Sequence, residues 1–336
     1  MILENKTILI TGGTGSFGKR FTEIAFQKHK PKKIIVFSRD EFKQFQMAKQ
    51  FPSDKYPIRF FIGDIRDKQR LMRAFEGVDY VVHAAALKQV PACEYNPFEA
   101  VRTNILGAQN IVEAALDMGV KKVIALSTDK AVSPVNLYGS TKLAMEKLVV
   151  AANSYVGGRR ISFAVVRYGN VVGSRGSVIP LFLKIKNDGQ KCLPVTDERM
   201  TRFWISLEQG VDLVITALEE AQGGEIFIPE IPSMKVVDLA KAILPECEIK
   251  IIGIRPGEKV HESLISEDEG RSTVFLEKKG KRIFVILPTY FFDSHKKQIY
   301  DSLKKAPENF SYRSDTNSLW LNVEQLREMV QNVKPE

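Results

Sequence analysis

The apolar run Thr7-Ile8-Leu9-Ile10 leads straight into Thr11-Gly12-Gly13-Thr14-Gly15-Ser16-Phe17-Gly18, and this junction constrains the fold more than any other stretch. Gly12, Gly15 and Gly18 recur at three-residue spacing where a strand turns into a helix. Such a turn needs a residue that accepts positive φ, and a backbone bare enough to touch a pyrophosphate. The helix beyond it points free N–H groups and the positive end of its dipole at the phosphates. A second signal lies far downstream, in Tyr138-Gly139-Ser140-Thr141-Lys142. The two together point to a nicotinamide enzyme with a Tyr/Lys pair.

Around these signals short β-branched runs alternate with helical patterns. Strands are predicted at residues 7–10, 33–37, 58–62, 80–84, 122–126 and 162–168, and helices at 17–28, 41–51, 68–75, 97–118 and 137–153. Apolar runs without in/out alternation mark strands buried on both faces. With βα alternation and right-handed crossovers this gives an α/β fold, a Rossmann-type doubly wound parallel sheet. After Asn170 the texture changes, with Gly, Pro, Arg and Met frequent through 172–180 and 194–202. A helix near 207–221 and a strand near 225–228 are expected to return to the sheet. Residues 1–170, with 207–230, therefore form the expected cofactor domain. Residues 171–206 and 231–336 form a smaller C-terminal α/β substrate-binding lobe with a charged tail.

The 336 residues are 44% hydrophobic and 26% charged, as in a soluble globular protein. No apolar run reaches the roughly 18 residues a bilayer requires, and the N-terminus lacks a signal-peptide pattern. A cytoplasmic protein without a membrane partner is expected. Cys93, Cys192 and Cys247 are scattered and odd in number, which suits reduced packing residues and neither a metal site nor a disulfide frame. A net charge of +9 raises the question of nucleic acid. The basic residues are dispersed, however. The compact cluster Lys28-His29-Lys30-Pro31-Lys32-Lys33 falls between the first helix and the second strand and reads as a solvated loop. No nucleic-acid partner is expected, and the positive balance suits a cofactor and a substrate that both carry phosphates.

Beyond the second strand come Ser38, Arg39 and Asp40, where NAD binders usually place a carboxylate on the ribose 2′-hydroxyl. A hydroxyl and a guanidinium fit a 2′-phosphate, and Lys43 lies one helical turn on, so NADP is favoured over NAD. Asp40, one position late, reads as a helix cap or as a ribose ligand. Asp64 follows the third strand, where a carboxylate can accept from an adenine amino group. Ala84, Ala85 and Ala86 end the fourth strand and let a cofactor lie flat against the backbone. His83 reads as a satisfied near-core histidine, and Lys88 faces the expected site mouth.

Strand five runs into Ser127-Thr128-Asp129-Lys130, and Tyr138 and Lys142 follow four residues apart on one helix face. A protonated Lys142 would lower the phenol pKa, so that Tyr138 takes a proton from a substrate alcohol as hydride leaves for nicotinamide. Asp129 and Lys130 could both reach a substrate from a loop at the strand's C-terminal edge. They read equally as a cap and a solvated lysine.

These residues resemble those of an extended short-chain dehydrogenase/reductase, and specifically of the UDP-N-acetylglucosamine 4,6-dehydratases. The likeness runs over nearly all of residues 1–265. It is carried by residues 11–18, Phe37-Ser38-Arg39-Asp40-Glu41, His83-Ala84-Ala85-Ala86-Leu87-Lys88, Leu126-Ser127-Thr128-Asp129-Lys130 and Arg167-Tyr168-Gly169-Asn170-Val171. Ser174-Arg175-Gly176-Ser177-Val178, Met200-Thr201-Arg202-Phe203 and Arg255-Pro256-Gly257-Glu258-Lys259 complete it. Related dTDP-glucose dehydratases carry Thr-Asp-Glu where this chain has Thr128-Asp129-Lys130. Because Tyr138 is present, the chain is similar to the soluble, C5-inverting branch that opens pseudaminic acid synthesis for flagellin or surface glycans.

The resemblance implies a tightly bound, recycled NADP, UDP-N-acetylglucosamine as substrate, no metal, and a homo-oligomer. Thr14, Ser16, Phe17, Ile65, Asn104, Ser127 and Tyr168 join the cofactor contacts. Lys130 is implied as the C5 base, Asp129 as the acid at C6, and Thr128 as a hydrogen-bond partner of the C4 oxygen. Lys88, Asn170, Ser177, Val178, Arg202, Arg255 and Glu258 are the implied substrate contacts, though the two arginines read equally as surface ion-pair partners. A sugar-nucleotide 4-epimerase or 4-reductase would need the Tyr/Lys pair alone and leave Asp129 and Lys130 without work. A non-catalytic NADP sensor would need neither Tyr138 nor Lys142.

Overall fold

The computed structural model describes residues 1–173, 177–289 and 299–331. Its centre is a ten-stranded sheet. The strands β1 (Thr7–Thr11), β2 (Lys33–Ser38), β3 (Ile58–Ile62), β4 (Tyr80–His83), β5 (Lys122–Thr128) and β6 (Ser162–Tyr168) all pair in parallel, in the order β3-β2-β1-β4-β5-β6. β1 and β6 are buried along their whole length, as expected of strands covered on both faces. The order reverses between β1 and β4, which opens a crevice beyond the carboxyl ends of the strands. Predicted strand bounds hold to within one residue, except that β5 runs two further and carries Ser127 and Thr128 to the crevice rim.

The covering helices are α1 (Ser16–Lys28), α2 (Glu41–Gln50), α3 (Lys68–Phe75), α4 (Val90–Tyr95), α5 (Pro97–Val101), α6 (Gly107–Asp117) and α7 (Leu137–Ala151). α4 is not among the predicted helices, and it contains Pro91. This proline lies in the helix's first turn, where the missing N–H is one of the unpaired ones anyway. The stretch predicted as one helix over 97–118 is interrupted by a π turn at Arg102–Leu106. Asn104, in that turn, accepts from Leu87 N and donates to Leu87 O and Thr141, clasping the segment after β4 to α7.

Later elements are β7 (Asn170–Val171), α8 (Val178–Asn187), β8 (Cys192–Val195), β9 (Thr201–Ile205), α9 (Leu207–Glu220), β10 (Ile226–Pro229), β11 (Ser233–Lys235), α10 (Val236–Ile243), β12 (Glu248–Ile251), β13 (Ser263–Ile265), β14 (Thr273–Lys278), β15 (Lys281–Ile286), β16 (Lys304–Lys305) and β17 (Tyr312–Arg313). β10 adds to β6 in parallel, and β15, β14 and β16 extend the sheet antiparallel beyond it. Residues 273–286, read from sequence with the smaller lobe, thus lie in the main sheet. The β14–β15 turn is Lys279-Gly280, both at positive φ (51° and 72°), the backbone a two-residue hairpin demands.

A second hydrophobic core gathers Ile179 and Phe182 of α8, Leu193 and Val195 of β8, Trp204, Met234, and Leu239 and Ile243 of α10. Leu326 and Val330 of the C-terminal helix Val323–Gln331 close it. Within the first core, a buried ion cluster joins three elements. Arg167, fully buried in β6, donates to both oxygens of Glu146 on α7 (3.0 and 2.6 Å) and of Glu269 (3.0 and 2.8 Å), and to Leu264 O. That one guanidinium ties the sheet, the helix bearing Tyr138 and Lys142, and the segment following β13.

Candidate active site

A cleft of about 1270 Å³ lies at the carboxyl ends of the parallel strands, between the two cores. Its cofactor-side wall is built by the glycine turn. Gly12 sits at φ +65°, and a Cβ there would come within 2.9 Å of the Ala85 backbone, so only glycine permits this approach. Thr14, Gly15, Ser16 and Phe17 line the same wall, as do Ala84, Ala85, Ala86, Ile65 and Lys88. Gly18 is not in the lining; it packs α1 against Gly13. Asn104 likewise sits behind the wall, in the clasp described above. His83 is buried and shares a 2.8 Å hydrogen bond with Thr11 Oγ1. Burial, and secondarily the charge of Lys142, lower its pKa to about 3, so it is neutral and structural.

At the outer end, Ser38, Arg39, Asp40, Lys43 and Asp64 converge on the cleft. Asp40 caps α2 by accepting from Lys43 N (2.9 Å), and the Lys43 ammonium lies 2.8 Å from its carboxylate. Asp64 is bound by Arg66 at 2.9 and 2.7 Å, with Arg39 at 3.7 Å. Burial works to raise the Asp64 carboxyl, but Arg66 and Arg39 outweigh it and hold it below the usual range. This end of the cleft thus carries two basic side chains, Arg39 and Lys43, each beside a carboxylate.

At the reacting end, β5 delivers Thr128 and a 3₁₀ turn delivers Asp129 and Lys130. Thr128 Oγ1 donates to Asp129 Oδ1 (2.8 Å), and Lys130 Nζ donates to the same oxygen (3.0 Å). On its other side Lys130 Nζ lies 3.3 Å from Glu262 Oε1. α7 is pressed so tightly on this turn that a Cβ on Gly139 would fall 2.1 Å from Lys130 O. Close approach at Gly139 therefore sets Tyr138 over Lys130. Burial opposes the Lys130 charge, but Asp129 and Glu262 outweigh it and hold the ammonium above the ordinary lysine range.

Burial pushes the Tyr138 phenol up to about 12; Lys130 and a hydrogen bond to Thr128 pull it down, while Asp129 raises it further. Sequence reasoning assigns that downward pull to Lys142; the structure gives it to Lys130. Lys142 instead donates to Leu126 O (2.6 Å), and burial, opposed by Glu146, lowers its pKa to about 8. Tyr168 and Ser127 line the cleft beside this group.

The far wall carries Asn170, Ser177, Val178, Arg202, Arg255 and Glu258. Of the matched motif 174–178, residues Ser174, Arg175 and Gly176 lie outside the described residues. The buried Asn170 Oδ1, Ser177 Oγ and Ser127 Oγ have no hydrogen-bond partner among the described residues. Buried polar atoms left unpaired are costly, and a bound polar ligand satisfies them. The two arginines differ. Arg202 donates to the carbonyls of Thr201, Val260 and Lys259 and so braces the loop after Arg255. Arg255 is exposed at the rim, 4.0 Å from Glu258.

Sequence reasoning missed Thr103, whose buried hydroxyl has no hydrogen-bond partner among the described residues, and above all Glu262. Nothing in local spacing separates Glu262 from the other acids of its stretch. Among the described residues no cluster of His, Cys, Asp and Glu is placed to hold a metal, and no helix is long and apolar enough to cross a membrane.

The profile of the family described as "Polysaccharide biosynthesis protein" matches residues 8–283. The chain is 52% identical over 338 residues to a Campylobacter jejuni protein named UDP-N-acetylglucosamine 4,6-dehydratase (inverting), with 99% of both chains covered. It is 42% identical over 335 residues to a Rickettsia conorii protein named UDP-glucose 4-epimerase, covering 97% of this chain and 95% of that one. Among solved structures, Pen from Bacillus thuringiensis is similar with a TM-score of 0.88 at 40% identity, over 99% and 98% of the two chains. Agreement of this extent leaves one conclusion: the chain belongs to the polysaccharide biosynthesis protein family and is an enzyme of the short-chain dehydrogenase/reductase kind.

Proposed function

We propose that the protein is a UDP-N-acetylglucosamine 4,6-dehydratase that inverts C5 and opens pseudaminic acid synthesis. The single observation that carries this reading is the contact of Asp129 with Lys130 at the cleft floor, beside Tyr138 (3.0 Å for the pair). A Tyr/Lys pair suffices to move hydrogen at C4; only loss of water gives an adjacent acid and base something to do. The 52% identity to the Campylobacter jejuni dehydratase supports the same choice.

The glycine turn, the alanines after β4 and the basic pair Arg39/Lys43 fit a dinucleotide, and the engaged Asp40 and Asp64 favour NADP. When bound, the nicotinamide supplies the hydride acceptor for C4 and the hydride donor for C6. Tyr138 takes the C4 hydroxyl proton, with Thr128 bonded to the C4 oxygen and Lys142 supporting the site. The C4 ketone acidifies C5; Lys130 removes that proton and Asp129 protonates the departing C6 hydroxyl. A proton from solvent, added to C5 on the opposite face, completes inversion. The same reading makes this a cytoplasmic homo-oligomer, and the exposed Tyr95, Phe98 and Leu106 beside the cleft helices support subunit pairing.

Incubation with UDP-N-acetylglucosamine, without added reductant, is expected to yield a nucleotide sugar lighter by one water, read by mass spectrometry. Lys130→Ala should keep cofactor binding and lose C5 hydrogen exchange about 10²-fold or more; undiminished exchange removes Lys130 as the base. The 42% identity to a protein named UDP-glucose 4-epimerase is the observation that favours a second reading. An epimer that keeps its C6 oxygen would establish that one instead.

A further inference from the structure

Glu262 has no role in the scheme above, yet it is 3% exposed, lines the cleft and touches the proposed base. Its Oε1 lies 3.3 Å from Lys130 Nζ and 3.9 Å from Arg202 Nε, while Oε2 is buried without a hydrogen-bond partner among the described residues. Across the ammonium, the fully buried Asp129 holds Lys130 at 3.0 Å. Lys130 is therefore gripped from two sides by carboxylates that belong to different parts of the chain.

The C-terminal stretch fixes the second carboxylate. Glu262 N donates to Ser314 Oγ (2.9 Å), and Ser314 N donates to Glu262 O (2.9 Å). Ser314 is fully buried and its hydroxyl lies 2.7 Å from Thr201 Oγ1. The next residues on each side pair as strands, β13 with β17. A buried carboxylate clamped through its own backbone on both sides is held in place before substrate arrives.

Resting on the proposed dehydratase reading, we propose that Glu262 is the positioning residue of the C5 base: it orients Lys130 and stabilises the positive charge that grows on Nζ as the C5 proton arrives. The logic is that of any base–carboxylate couple, in which a third group aims the base and favours its protonated form in the transition state. The proton balance closes inside the cluster. Lys130 must first give a proton to Asp129, breaking one N–H bond and forming one O–H bond. The C5–H bond then breaks with its proton going to the Lys130 amine, the C6–O bond breaks with the Asp129 proton leaving in water, and C5=C6 forms. The ammonium and carboxylate with which the cycle began are restored.

The charged and titratable groups facing Lys130 are Asp129 on its own turn, Glu262 and Arg202 across the cleft, Tyr138 on α7, and Lys259 in the loop before β13. Removing the Glu262 charge leaves Lys130 with one carboxylate against two cations, so its amine becomes a weaker base that is free at lower pH.

The test compares unaltered protein, Glu262→Gln and Glu262→Asp for C5 hydrogen exchange of UDP-N-acetylglucosamine in D₂O across a pH series. Glu262→Gln is expected to slow exchange at its optimum by about 10²-fold and to move the basic limb of the profile down by about one pH unit. Reduced cofactor should build up in a single turnover, because C4 oxidation continues while elimination stalls. Glu262→Asp, which keeps the charge on a shorter arm, should recover part of the rate and most of the limb position. A Glu262→Gln rate within threefold of the unaltered protein, or an unmoved limb, overturns the proposal alone. If Glu262→Gln does not fold, Glu262→Asp decides: full rate with an unmoved limb shows that the carboxylate's position is immaterial and overturns it. Unaltered protein that releases no water overturns the dehydratase reading and this proposal with it.

Discussion

Tyr138→Phe is expected to slow C4 oxidation by about 10³-fold while leaving the fold intact. The ring packs with Cys93 and Ala100, and phenylalanine keeps that contact. Only the hydroxyl is lost, together with its hydrogen bond to Thr128, for a stability change near 1 kcal/mol. Because C5 becomes acidic only once C4 is a ketone, both cofactor reduction and C5 exchange should fall together, as measured by nicotinamide absorbance and deuterium uptake. That joint loss separates Tyr138 from Lys130, whose removal stops exchange alone. C5 exchange that persists in Tyr138→Phe would mean that C4 is oxidised without the phenol, and the assignment of the first proton to Tyr138 would fall.

The largest stability loss is expected from Arg167→Met. Arg167 and Glu146 are both buried, and Glu269 is largely so; burial opposes the charge on Arg167 while the two carboxylates favour it strongly. Taking away the guanidinium leaves two carboxylates in a low-dielectric interior without their cation. Such a loss costs about 3–5 kcal/mol. In the variant the stranded carboxylates have pKa values raised above their unfolded ones. The folded variant then binds more protons than the unfolded chain, and its deficit against the unaltered protein should narrow as pH falls. Denaturant unfolding at several pH values checks both points. A second change, Glu146→Leu in the Arg167→Met background, should restore part of the stability. A deficit under about 1 kcal/mol, constant with pH, would show that the network contributes only packing.

The cofactor half was legible because its determinants are local. Gly12 and Gly18 announce themselves by spacing, and the buried strands β1 and β6 by runs without alternation. The Tyr138/Lys142 helix follows from a spacing of four on one face. What stayed hidden depends on contacts distant in sequence. Glu262 gains its meaning from Lys130 and from Ser314, neither near it in the chain. Arg202 reads from sequence as a substrate contact or a surface ion-pair partner, and the loop carbonyls that occupy its guanidinium show only in the fold. The pull on Tyr138 follows from how closely α7 packs on the Lys130 turn, and no spacing rule reports that. The β14–β15 hairpin is a different case. Its Lys279-Gly280 turn between apolar runs is a local signal of the type that marks two-residue hairpins, so it was available in the sequence.

The measurement that bears most directly on the reading is proton NMR of the purified protein with UDP-N-acetylglucosamine in D₂O, without added reductant. The expected result is a 6-deoxy-4-keto sugar nucleotide carrying deuterium at C5, with ring couplings that report an inverted C5. Unchanged substrate, or a C4 epimer that retains its C6 oxygen, would contradict the assignment of Asp129 and Lys130 to the loss of water.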